Sequence, residues 1–189
     1  MALTPSNMLS LGTAAPDFAL PATTGEMVSL SDFAQSSLLL VAFICNHCPF
    51  VKHVRAQLAA LGDEYMPRGV AFVAINANDV DAYPDDNMEN MRREVSETGY
   101  RFPYLLDESQ AVARAYEAAC TPDFYLFDGD RKLIYRGQLD RSRPGNDIPL
   151  TGEDLRAAMD AALAGQPVAE DQEPSVGCNI KWKPGNVPA

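Results

Sequence analysis

The chain is 189 residues long, 47% apolar and 22% charged, a size and mixture suited to one globular domain that buries its own core. Lys and Arg number 15 against 26 Asp and Glu, a formal net charge of -11, which leaves no basic footprint for nucleic acid or an anionic lipid surface. The longest apolar run, Leu38 to Cys45, is far shorter than the ~20 residues that span a bilayer. The opening stretch MALTPSNMLSLGTAAPDF has no basic segment followed by an apolar one, so a cytoplasmic location without membrane attachment is expected. Four cysteines in such a chain read as chemistry or metal rather than as an extracellular disulfide framework.

Residues 1–16 are expected to be irregular. Phe18–Leu20 and Met27–Leu30 read as two short strands around a turn-rich Pro21–Glu26. Ser31-Asp32 suits a short helical turn. Leu38–Ile44 is apolar on both faces, the pattern of a central strand covered on both sides. From residue 48 the period changes: Val51, Val54, Leu58, Leu61 and Tyr65 recur at three and four, an amphipathic helix ending near Pro67-Arg68-Gly69. Val70–Asn76 is a second buried strand, which completes a βαβ unit.

The acidic stretch Asn78–Asp86 reads as a loop and Asn87–Thr98 as an inserted helix that stops at Gly99. Phe102–Leu106 is extended. Asp107 with Gln110 suits a reciprocal cap on a helix running to Tyr116. Phe124–Phe127 and Leu133–Arg136 flank the turn Asp128-Gly129-Asp130 as an antiparallel hairpin. Thr151–Asp154 caps a last helix through Leu163. The expected fold is therefore α/β, a central mixed sheet flanked by helices, in one domain over residues 1–164. Residues 165–189, rich in Pro and Gly and without periodicity, are expected to be a tail packed on that domain.

Cys45-Asn46-His47-Cys48 lies where the first buried strand passes into the first helix. First-turn N–H groups lack intrahelical partners and the dipole end there is positive, so a thiolate is stabilised and cysteine pKa values fall. The spacing puts both sulfurs on one turn, where they can form and break a disulfide with little backbone movement. Cys45 is expected at the exposed end as the attacking thiolate and Cys48, more buried, as the resolving thiol. A protonated His47 would favour the thiolate further. Zinc competes with this reading, with His53, Cys120 or Cys178 completing a ligand set. A second C-x2-C or H-x3-H pattern is absent, and a C-x-x-C beside a βαβ unit points to redox chemistry. The bland alternative is two buried structural thiols.

Three stretches carry a family resemblance: Gly12–Phe18, Cys45-Asn46-His47-Cys48-Pro49-Phe50, and Thr121-Pro122 just before Asp123–Asp128. Over roughly residues 10–164 the chain resembles the thioredoxin-like superfamily. It is most similar to the redoxin branch, which includes alkyl hydroperoxide reductase/thiol-specific antioxidant proteins and membrane-tethered thiol-disulfide oxidoreductases. Asn76–Asp79 and a tail like Gly177–Asn186 resemble a bacterial subgroup of redoxin-domain proteins. The resemblance implies a thioredoxin-like fold with an N-terminal β-hairpin extension. It also implies a catalytic Cys45–Cys48 pair supported by His47, Asn46 and Thr121, and a cis-Pro122 facing that pair. The backbone before such a proline is expected to be open to an incoming extended peptide.

Two chemistries occur in that branch. Peroxiredoxins carry a threonine three residues before the peroxidatic cysteine and a proline after it; here Cys48-Pro49 fits, but Cys45 stands in the threonine's place. Their arginine near the position of Pro122 is missing until Arg131, so donors for the developing charge are lost and thiol–disulfide exchange is the better expectation. The chain also departs from thioredoxins, with Ile44 in place of a tryptophan and no carboxylate in Leu38–Ile44. The proton leaving Cys48 must go to water, His47 or a carboxylate such as Glu108. The partners implied are protein or small-molecule disulfides and thiols, peroxides as the alternative, and a thiol reductant; no cofactor or metal is called for. A non-enzymatic redox sensor or adaptor is the third possibility.

Of the other candidates, Cys120 reads mainly as a small buried hydrophobe near the pair. Cys178, beside the lone Trp182, is either a packed residue beneath the tail or a third thiol that relays electrons. Asn76 and Asn78 read as turn formers at a strand end. Asp79, Asp81, Asp85 and Asp86 read as a solvated face, lacking the glycine and glutamate of a calcium loop. Arg141–Pro144 reads as a surface loop and His53 as partly exposed.

Overall fold

The computed structural model describes residues 3–188; Met1, Ala2 and Ala189, the outermost residues of the expected irregular ends, lie outside the described residues. In chain order the elements are β1 (Leu3–Pro5), β2 (Ala19–Pro21), β3 (Met27–Ser29), β4 (Leu38–Phe43), α1 (Pro49–Tyr65), β5 (Val70–Asn76), α2 (Met88–Thr98) and β6 (Tyr104–Leu106). They continue with α3 (Ala111–Ala115), β7 (Cys120–Thr121), β8 (Asp123–Phe127), β9 (Leu133–Gly137), α4 (Glu153–Leu163) and β10 (Val176–Asn179). The main sheet has five strands in the order β6-β5-β4-β8-β9. β4, β5 and β6 are parallel, whereas β8 and β9 return antiparallel.

β4 is buried along its whole length, as its apolar run requires, and the two-residue period of a strand divides its side chains between two cores. Leu38, Leu40 and Ala42 pack with Val51, Val54, Leu58 and Leu61 of α1 and with Leu155 and Met159 of α4. Leu39, Val41 and Phe43 face the opposite layer, with Tyr116, Tyr125 and Phe127; Phe43 and Tyr116 meet edge-on with ring centroids 5.5 Å apart. The β2–β3 hairpin supplies Leu20 to that second core. α2 is the inserted helix. Asn87 caps it by accepting the Asn90 N–H at 2.9 Å, and Gly99 closes it at φ 75°, a left-handed residue that costs glycine no steric penalty.

The structure corrects several local expectations. Asp107 and Gln110 do not form a capping box: Asp107 Oδ2 accepts the Ala113 N–H at 2.9 Å, while Gln110 turns away to donate to the Ala77 and Lys181 carbonyls. No side chain of Thr151 caps α4. Asp140 takes over, its Oδ2 accepting the Thr151 and Gly152 N–H groups. Both ends of the chain also hold strands where irregular backbone was expected. β10 lies between β1 and β7 in a second, three-stranded sheet, antiparallel to both. The tail is tied down further: Lys181 N–H donates to Asn78 Oδ1 and Lys183 N–H to Gln110 Oε1, each at 2.8 Å. No helix among the described residues is long and apolar enough to cross a membrane.

Candidate active site

β4 delivers Cys45 to the carboxyl edge of the sheet, and the chain turns through Asn46 and His47 into α1. Cys48 is the N-cap of that helix and Pro49 its first residue, where a missing N–H costs nothing. Across the loop from the pair stands the Thr121–Pro122 peptide, which is cis. Thr121 touches both sulfurs, with Oγ1 3.5 Å from Cys45 Sγ and its carbonyl oxygen 3.3 Å from Cys48 Sγ. Cys45, Cys48, Thr121 and Pro122 thus come together as expected from the sequence.

The expected exposed Cys45 does not occur. Cys45 and Cys48 are 1% and 0% exposed, and the charge favours the opposite partner. Cys48 is pushed down to about 4, chiefly by hydrogen bonding with the Cys45 thiol, with further help from Cys178, Thr121 and the Val51 N–H against the opposing effect of burial. Cys45 is raised in return, first by Cys48, then by burial and by the Asp86 charge. Cys48, not Cys45, is also the N-cap of the helix, since α1 begins at Pro49 rather than inside the motif.

Asp86, which the sequence placed on a solvated face, is the residue that holds the Cys45–Cys48 loop. It is fully buried and organises the whole loop. Oδ1 accepts the backbone N–H groups of Asn46 and His47 at 2.8 and 3.2 Å, and Oδ2 meets His47 Nδ1 at 2.6 Å and Asn78 Nδ2 at 2.8 Å. Burial alone would push this carboxyl up; the His47, Asn78 and Asn46 contacts outweigh it and hold it low. His47 is raised by the Asp86 hydrogen bond and stacks on Tyr83 with centroids 5.5 Å apart. Asn46 is pinned too, donating to the Asp85 carbonyl and accepting the Tyr104 hydroxyl at 3.0 Å. Asn76 and Asn78 are therefore braces rather than plain turn formers; Asn76 Nδ2 donates to the Asp86 carbonyl at 2.7 Å. The solvated acidic face expected from the sequence holds for Asp81 and Asp85, which are exposed, but not for Asp79 and Asp86, which are buried.

A Cys45 sulfur, a His47 ring nitrogen and an Asp86 oxygen lie within 4.8 Å of one another, the nearest thing to the zinc alternative among the described residues. The Asp86 oxygens are already committed to four hydrogen-bond contacts, so these donors are spent on holding the loop.

Cys120 is fully buried, its Sγ 3.7 Å from the Pro122 carbonyl oxygen, and burial followed by the Asp123 charge drives its thiol far up. These surroundings are those of the small buried hydrophobe that its sequence context suggests. Beside it, Asp123 is a fully buried acid whose carboxyl is pushed up to about 7 by burial. Glu108 is exposed in the loop after β6. His53 is half-buried and bonded to Ser142 Oγ at 2.8 Å. The Arg141–Pro144 loop is less open than expected, with Ser142 buried and Arg143 donating to Gln138 Oε1.

The peptide-facing edge is also not open. β10 occupies it, with Cys178 opposite Thr121 and Asn179 opposite Cys120. Gly177 makes this possible, because a Cβ there would sit 2.0 Å from the Thr121 carbonyl oxygen. Cys178 is buried, and its thiol is raised to about 12 by burial and then by Cys48.

A parallel βαβ core with antiparallel strands added at one edge, and a C-x-x-C at its strand-to-helix turn facing a cis-proline, defines a thioredoxin-fold protein. Residues 10–155 match the Redoxin family, and the chain belongs to it. A crystal structure of an uncharacterized conserved protein from Geobacillus kaustophilus is 58% identical, covers 98% of each chain and superposes with a TM-score of 0.96. A hypothetical protein from Sinorhizobium meliloti 1021 is 53% identical over 96% of this chain and 100% of its own, with a TM-score of 0.95. Among curated relatives, the thiol-disulfide oxidoreductase ResA of Bacillus subtilis is 26% identical across 67% of this chain. The match spans 66% of that protein's length.

Proposed function

We propose that this protein is a thiol–disulfide oxidoreductase that cycles Cys45 and Cys48 between dithiol and disulfide. The observation that carries the reading is the sulfur pair at the start of α1, held against Thr121 with Cys48 on the helix N-cap. Membership of the Redoxin family and the similarity to ResA support it. In the reduced pair one proton is shared, and the negative charge rests on Cys48. That thiolate attacks a sulfur of a substrate disulfide, and the departing thiolate leaves with the electron pair of the broken bond. Cys45 then gives up its proton and attacks Cys48 Sγ, which releases the second substrate thiol and leaves the Cys45–Cys48 disulfide. A thiol reductant returns the pair to the dithiol.

Peroxide reduction is the weaker reading, since the contacts of the two sulfurs come from Thr121, the neighbouring thiols and backbone, without a guanidinium. A cytoplasmic setting, where a thiol pool is at hand to reduce the pair, belongs to the same proposal; cell fractionation tests it. The central test is turnover of a disulfide substrate with dithiothreitol as donor. The reduced protein is expected to outpace the free dithiol, and Cys45→Ser and Cys48→Ser each to lose turnover. Equal rates for protein and free dithiol would refute the proposal. At pH 6 the Cys45→Ser variant should still trap a mixed disulfide at Cys48, whereas Cys48→Ser should trap one at Cys45 far more slowly.

A further inference from the structure

The oxidoreductase reading uses two thiols, and the structure brings a third against them. β10 fills the strand position beside Thr121, and its register sets Cys178 directly across from that residue. The Thr121 carbonyl oxygen is also the one that lies 3.3 Å from Cys48 Sγ. Cys178 therefore approaches the pair from the side on which an extended peptide would carry its own cysteine. It engages Cys48 and not Cys45: thiol hydrogen bonding links Cys178 with Cys48, while Cys45 faces the Thr121 hydroxyl. Gly177 next to it gives up any side chain so that β10 can sit this close.

Resting on the proposed exchange at Cys45–Cys48, we propose that Cys178 is a third redox-active thiol, the chain's internal substrate, which exchanges with the oxidised pair to give a Cys48–Cys178 disulfide. In that step the Cys178 sulfur attacks Cys48 Sγ. The Cys48–Cys178 bond forms, the Cys45–Cys48 bond breaks, and its electron pair leaves on Cys45. The proton lost by Cys178 ends on Cys45, so the step is neutral in electrons and needs no outside oxidant.

Its timing follows from charge. Burial comes first among the causes that keep Cys178 protonated, and the hydrogen bond and charge of Cys48 come next. Once Cys48 is in a disulfide its charge is gone, and those two contributions vanish. Cys178 becomes a better nucleophile only after the pair has been oxidised. An alternative in which Cys120 plays this part is disfavoured by its surroundings, since its sulfur points to the Pro122 and Ser175 carbonyl oxygens, at 3.7 and 3.9 Å.

The test uses the full chain carrying Cys45→Ser, treated with the aromatic disulfide 5,5′-dithiobis(2-nitrobenzoate). Cys48 should release one equivalent of thionitrobenzoate and Cys178 a second by attacking the mixed disulfide. The intact protein should then be two hydrogens lighter, carry no aryl group, and yield a cross-linked peptide joining residues 48 and 178. The Cys45→Ser, Cys178→Ser double variant should stop at one equivalent and keep the aryl group on Cys48. An aryl adduct that persists on Cys48 in the single variant, or a link from Cys48 to Cys120, would overturn the proposal. Cys45→Ala is the second background should serine not be accommodated. Failure of the parent reading looks different: the wild-type chain would then form no Cys45–Cys48 disulfide under the same treatment.

Discussion

Gly177→Ala tests whether β10 governs access to the pair. The new Cβ would lie 2.0 Å from the Thr121 carbonyl oxygen and 2.8 Å from its carbon. Both are backbone atoms of β7, which cannot swing aside as the tip of a side chain can. β10 must then lift from β7, giving up the short ladder at Cys178 and Asn179 and weakening the Ile180 N–H bond to the Ala119 carbonyl at 3.1 Å. At about 1 kcal/mol net per hydrogen bond, the loss is about 2 kcal/mol. Applied to the opening equilibrium, this is roughly thirty-fold, since each 1.4 kcal/mol is a factor of ten. The assay is alkylation of the native protein with iodoacetamide, followed for each cysteine by peptide mass. Cys48 should label roughly thirty-fold faster in the variant. Cys120, buried in the same region, should stay slow, which separates local lifting from global unfolding. A wild-type labelling rate with unchanged Tm would refute the argument, because it would mean that β10 does not control access.

Asp86→Asn should lower the pKa of His47 toward the ordinary ~6.5, read by NMR titration, and should quicken backbone amide exchange at Asn46 and His47, whose N–H groups Asp86 accepts. The linkage has two signs. Raised in the fold, His47 gives a stabilisation that is complete below its unfolded pKa and lost as pH rises through the folded one; Asp86, held low, gives one present above its unfolded pKa and lost as pH falls through its folded one. The pair's pH-dependent stabilisation should therefore fall away on both sides of a mildly acidic window and be absent in the variant. Asp123 has the reverse sign for an acid: with its pKa raised to about 7, it should cost stability as pH climbs from ~4 to ~7. Asp123→Asn should flatten the Tm against pH over that interval, and an unaltered slope would show that Asp123 is not its source.

Where the fold was legible, a strong local period made it so. β4, α1 and β5 follow from apolar runs and from a stripe at three and four, and each begins and ends within a residue or two of its expected place. The Cys45–Cys48 pair was legible for the same reason, since the change of period marks the turn it sits on. β10 was not. Four residues, Val176 to Asn179, carry no period of their own, and their pairing is decided by β1 and β7, both distant in sequence. Asp86 was hidden differently. Among the four acids between residues 79 and 86, nothing local says which one turns inward; the choice is made by Asn46 and His47, some forty residues earlier. The burial of Cys45 was missed because a neighbour that closes over it, Thr121, comes from 76 residues further along the chain.

The β1-β10-β7 sheet also sets an order of events during synthesis. β1 leaves the ribosome about 170 residues ahead of its partner strand, which comes from residues 176–179. Until that strand emerges, β1 has no partner in this sheet and the edge of β7 beside Thr121 stays bare. Such widely separated contacts close late in folding. A nascent chain translated as far as residue 164 would therefore present Cys48 without the β10 strand that brings Cys178 against it, at the stage when stray disulfides with other thiols do most harm. Synthesis of residues 176–179 is thus what turns an open edge beside the sulfurs into a guarded one.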